Sequence, residues 1–66
     1  MHITVNGEPR ELGEGTALGE LLSALNVPLE AVAVAVNLQV VPRSQLAEHA
    51  LSDGDRVEVV RAVGGG

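Results

Sequence analysis

Residues 2–25, HITVNGEPRELGEGTALGELLSAL, change their hydrophobic period part-way along, and that change decides how the chain must fold. His2 to Val5 alternate, with Ile3 and Val5 on one face and His2 and Thr4 on the other, which is the period of a half-buried strand. Asn6-Gly7 comes next, a pair that tolerates positive φ and closes a two-residue hairpin. The returning arm, Glu8 to Leu12, carries Pro9, which has no N–H to offer a neighbour. It is therefore predicted to be an edge strand. Gly13 and Gly15 break the run. Leu18, Leu21, Leu22 and Leu25 then recur at helical spacing. Thr16 is the predicted cap, Asn26 suits the helix end and Pro28 blocks continuation, so the predicted helix spans Ala17 to Leu25.

Beyond the helix the period returns to two. AVAVAVN (residues 31–37) sets Val32, Val34 and Val36 on one face and Ala31, Ala33 and Ala35 on the other, as an interior strand would. LQVVPR (38–43) reads as a turn and a short extended piece stopped by Pro42, and Ser44 to Ala50 as a helical turn. SDGD (52–55) is a tight turn. RVEVVRAV (56–63) is the last strand, with Val57 and Val59 facing one way and Glu58 and Val60 the other. A helix between the second and third strands rules out a consecutive meander. A right-handed crossover that lays the last strand beside the first gives a small mixed sheet of four to five strands with one main helix packed across it. That α+β arrangement is the β-grasp, or ubiquitin-like, fold, here over residues 1–63 with residues 64–66 as a flexible glycine tail.

Composition narrows the functions. A chain of 66 residues holds one core, and with no cysteine and no aromatic residue that core is built from Val, Leu, Ile and Ala. The net charge is −5, no lysine is present and the four basic residues are scattered arginines, which argues against nucleic-acid and anionic-membrane binding. The N-terminus lacks a signal-peptide pattern, and AVAVAV is far too short to span a bilayer. The expectation is a cytoplasmic protein, monomeric when free.

Candidate catalytic features fail on spacing. Gly13, Gly15 and Gly19 do not make a phosphate loop, because the spacing is not G-x-G-x-x-G, no lysine follows and Glu14 would repel an anion. Gly19, inside the helix, marks a close approach of helix to sheet. His2 and His49 have no ligand-spaced companion, so no metal site is expected. Glu48-His49, Ser44 and Ser52 lack an activating constellation, and the serines read as cap or turn residues. The chain is read as a non-enzyme that binds no cofactor of its own.

What remains is the ending, RAVGGG (61–66). Three glycines contribute nothing to packing, and ordering them costs roughly 3–6 kcal/mol. Lacking Cβ atoms, they suit a narrow channel that would reject any side chain. A terminal carboxylate has a pKa of about 3.3–3.7 and is nucleophilic at neutral pH. Attack on the α-phosphate of ATP would convert it to an acyl-adenylate, open to a sulfur or nitrogen nucleophile. Val60 breaks the strand alternation beside the tail. It is either a strand end curling over the core or part of a partner-docking patch.

VNGEPREL (5–12), LGELLSAL (18–25), VAVNLQVVPR (34–43), LSDGDRVEVV (51–60) and VGGG (63–66) together resemble the thiamin-biosynthesis sulfur carriers, the ThiS family, over nearly the whole chain. The resemblance implies that a ThiF-type, E1-like adenylyltransferase activates Gly66 with Mg-ATP. A cysteine desulfurase relay then supplies the sulfur of a thiocarboxylate, and a ThiG-type thiazole synthase accepts it. It implies that Gly64 and Gly65 thread the partner's active site. The docking face would lie on the exposed sheet surface, assigned here to Val60 and Val63. The small subunit of molybdopterin synthase, a carrier for another thiolation pathway, a ubiquitin-style conjugating protein, and an interaction module with an unmodified tail are the alternatives. No metal, nucleic-acid or membrane partner is implied.

Overall fold

The hairpin forms where the alternation predicts it. In a computed structural model describing residues 1–61, β1 (His2–Val5) pairs antiparallel with β2 (Glu8–Glu11) in the register His2↔Glu11 to Val5↔Glu8. Asn6 and Gly7 both take positive φ, 50° and 84°, giving the turn the twist that matches its flanking strands. β2 is the sheet edge, so the missing N–H of Pro9 leaves no rung unmade.

α1 (Leu18–Ala24) follows, and Leu18, Leu21 and Leu22 are buried. Its C-terminal end is closed by the backbone. Asn26 sits at φ 57°, its N–H donates to the Ser23 carbonyl (3.0 Å), and the Val27 N–H donates to the Leu22 carbonyl (2.9 Å). These are the two bonds of a Schellman motif, with Asn in the left-handed position usually given to Gly. The N-terminal end differs from the sequence expectation. The cap residue is Ala17 with no side-chain hydrogen bond, and Thr16 Oγ1 donates instead to the Gly13 carbonyl (2.7 Å). The reason is tertiary. The Thr16 carbonyl accepts from the Leu51 N–H (3.2 Å), the Leu18 N–H donates to the His49 carbonyl (2.8 Å), and Ala17 bridges Ala50. A remote segment thus satisfies helix-start groups that a cap would otherwise serve.

A 3₁₀ turn (Leu29–Ala31) leads into β3 (Val32–Val36), which pairs with the two-residue β4 (Gln39–Val40) across a turn at Asn37 and Leu38, again both at positive φ. Where a helical turn over Ser44 to Ala50 is predicted, only a second, three-residue 3₁₀ turn (Arg43–Gln45) forms, starting one residue earlier, and β5 (Arg56–Arg61) ends the described chain. The strand order is β2-β1-β5-β3-β4, with β1 and β5 parallel and the other neighbours antiparallel. The predicted crossover is therefore present, with the last strand between the first and third and five strands among the described residues.

Val32, Val34, Val36, Val57, Ile3 and Val5 face the helix and form the core with its leucines, joined by Val41, Leu46 and Leu51 from the connections. Burying each such side chain contributes roughly 1.5–3 kcal/mol. Gly19 does mark a close approach, but not to the sheet. A Cβ there would lie 2.7 Å from the Ala47 carbonyl oxygen and 2.8 Å from Ala47 Cα, so the helix is pressed against the segment after the second 3₁₀ turn.

Candidate functional site

With one sheet face covered by the helix, the other is the surface available to a partner. Directly opposed residues of adjacent strands share a face, so the register maps that surface. Ala35 lies between Val40 and Glu58, and Ala33 lies opposite Val60. Toward β1 the same face continues through Arg56, paired with Thr4. Val60, Ala33, Ala35 and Val40 thus form an apolar strip bordered by Glu58 and Arg56. Val60 is 64% exposed and Val40 76%, and Leu38, 74% exposed, sits in the turn beside them. This exposed apolar strip is the candidate docking surface.

Exposure removes one of the two readings of Val60. It does not curl over the core but stands on the uncovered face, one residue before the end of β5. Val40, Ala33 and Ala35 were not singled out from sequence. The signal was present in the alanine face of AVAVAV, but which strand would lie beside it was not. Val63, Gly64, Gly65 and Gly66, the other predicted site residues, lie outside the described residues.

The end of β5 is held from both sides. On one edge β3 pairs with it as far as Val32↔Arg61. On the other, Asn6 reaches across: its Oδ1 accepts from the Val59 N–H (2.8 Å) and its Nδ2 donates to the Val59 carbonyl (3.3 Å).

Other polar features read as structural. An open depression of about 420 Å³ lies beside the β3–β4 turn, lined in part by Gln39, Gln45, His49 and Asp55. Asp55 is 9% exposed, and its carboxylate is already engaged by Asn37 Nδ2 (2.9 Å) and the Ser52 N–H (2.8 Å). Asn37 in turn accepts from the Arg56 N–H (3.0 Å), so the trio ties the β3–β4 turn to the start of β5. Among the described residues no group of three His, Cys, Asp or Glu side chains is placed to hold a metal ion, and no helix is long and apolar enough to cross a membrane.

Five strands in this order with one helix across them define a ubiquitin-like β-grasp protein. The ThiS family model matches residues 3–66, and the chain belongs to the ThiS family. It is similar over its full length to the sulfur carrier protein ThiS of Escherichia coli, at 35% identity over 66 residues covering all of both chains. The crystal structure of the thiamine biosynthesis protein ThiS from Geobacter metallireducens superimposes with a TM-score of 0.83 at 40% identity, again over the whole of both chains. A thiazole synthase from Paramagnetospirillum magneticum is 41% identical over 66 residues, and there the chain spans only 20% of the relative's length.

Proposed function

We propose that this chain is a sulfur carrier of thiamin biosynthesis, a protein acted on by partner enzymes rather than an enzyme itself. The observation that carries the reading is the family match extending through Gly66, together with a full-length likeness to a protein named for sulfur carriage. In this reading the chemistry is that of a free carboxylate at Gly66. One of its oxygens attacks the α-phosphorus of Mg-ATP in the adenylyltransferase, pyrophosphate leaves, and Gly66 becomes an acyl-adenylate. A sulfide-level nucleophile then attacks the carbonyl carbon and expels AMP, leaving a thiocarboxylate. Gly64 and Gly65 provide the slender approach, since a Cβ at either would widen the chain inside the partner's channel. Mg-ATP is consumed by the partner and is not held by this chain.

The outer sheet face serves as the docking surface through Val60, and Val63 is assigned to docking with it on the resemblance alone. A ThiF-type adenylyltransferase is the first partner. A ThiG-type thiazole synthase is the second, a pairing supported by the thiazole synthase relative that contains a segment like this chain. The cysteine desulfurase relay acts indirectly, and the setting is the cytoplasm.

The test is intact mass spectrometry after incubation with Mg-ATP, the adenylyltransferase and a sulfide source. The expected result is a gain equal to the exchange of one oxygen for sulfur, localised to Gly66 by fragmentation and absent when Gly66 is deleted. An unchanged mass, with the adenylyltransferase active on another carrier, would reduce the chain to an interaction module.

A further inference from the structure

We propose that Asn6 is a positioning residue for chemistry at Gly66, an inference that rests on the carrier reading above. The parallel ladder between β1 and β5 is short, with the register Thr4↔Arg56 and Val5↔Val57. Its last backbone rung is the Asn6 N–H donating to the Val57 carbonyl (2.9 Å). Asn6 and Gly7 then turn the chain away at positive φ. The next rung is made by a side chain. Both polar backbone groups of Val59 are engaged by the single carboxamide of Asn6, 53 residues earlier in the chain.

The consequence concerns the end of β5. Without the carboxamide, the β1 side of β5 would be unheld from Glu58 onward, and only β3 would restrain the strand that leads to the tail. With it, the end of β5 is held from both edges, Val59 by Asn6 and its neighbours Glu58 and Val60 by β3. β3 already sets the face on which Val60 stands, and the added bonds make the chain leave the sheet from a rigid origin. The carboxamide acts through Val59, two residues before the end of β5. It limits the directions in which the tail departs once the sheet face is docked, which raises the fraction of docked complexes in which Gly66 reaches ATP.

The turn alone does not require this residue. Glycine at position 6 would accept the positive φ at no steric cost. Asp would tolerate the same φ and keep the acceptor for the Val59 N–H, but it would set a carboxylate oxygen against the Val59 carbonyl. Asn is the side chain that satisfies all three demands.

Asn6→Gly and Asn6→Asp are compared with the unaltered chain in steady-state adenylation by the ThiF-type enzyme, read as pyrophosphate release. The temperature is one at which circular dichroism shows all three fully folded. For Asn6→Gly, kcat falls about fivefold, while KM, which reports sheet-face docking, stays within about twofold. Asn6→Asp falls between the two. Amide exchange at Val59 accelerates in Asn6→Gly relative to Val57. An unchanged kcat in folded Asn6→Gly, or an effect confined to KM, overturns the positioning role while leaving the carrier reading intact. An unaltered chain that releases no pyrophosphate, with the enzyme active on another carrier, overturns both.

Discussion

Replacing Gly19 by alanine tests how the helix is seated. In an exposed helix interior, Gly→Ala stabilises by about 1 kcal/mol, because glycine loses more backbone freedom on ordering. Here the added Cβ would lie 2.7 Å from the Ala47 carbonyl oxygen and 2.8 Å from its Cα, where ordinary contact begins at 3.4 Å. About 0.7 Å of separation must be found, and both obstructing atoms are backbone. The segment cannot yield cheaply. Leu46, next to Ala47, is 2% exposed, and the His49 carbonyl is bonded to the Leu18 N–H in the first turn of the same helix. Overpacking costs typically 1–3 kcal/mol, and with backbone as the obstacle the upper half of that range, about 2–3 kcal/mol, applies and exceeds the propensity gain. The expected net loss is about 1–2 kcal/mol, a fall in melting temperature of roughly 4–16 °C for a domain of this size. Thermal unfolding by circular dichroism reads it directly. Ser23→Ala, exposed on the same helix, is the control and gains up to about 0.5 kcal/mol. A Gly19→Ala melting point at or above that of the unaltered chain would refute the contact and the reasoning built on it.

Val60→Asp leaves the melting temperature nearly unchanged, because the side chain is 64% exposed, and raises KM for adenylation about tenfold by placing a charge in the apolar strip. A large loss of thermal stability would instead place Val60 in the core. Asp55→Ala removes charge-assisted bonds from Asn37 Nδ2 and the Ser52 N–H and costs about 2–3 kcal/mol, seen as a lower urea midpoint at constant slope. A midpoint within error of the unaltered chain would show that the trio does not brace β5.

Local pattern determined much of this protein. The alternation of Ile3 and Val5, of Val32, Val34 and Val36, and of Val57 set which face of each strand is buried, since a one-residue slip would turn every one of those side chains to solvent. Asn6-Gly7 specified the hairpin, Pro9 the edge, and Asn26 with Pro28 the helix end, because each restricts backbone conformation within a few residues. The resemblance to a known family was likewise carried by sequence, in segments from Val5 to Gly66. The exposed apolar strip was only partly visible. Val60 stood out by breaking its alternation, whereas Val40, Ala33 and Ala35 became its neighbours only through strand order.

Tertiary structure decided the partners of groups far apart in the chain. Thr16 has the chemistry of a cap, but residues 49–51 reach the helix start first and leave its hydroxyl to Gly13. Gly19 announces a close approach without naming what approaches, and the answer is Ala47 rather than the sheet. Asn6 reads as a turn residue, yet its carboxamide holds Val59 across 53 residues. Periodicity and turn chemistry are written into neighbouring residues. The choice of partner for a free N–H, a carbonyl or the space beside a glycine depends on which remote segment the folded chain brings there.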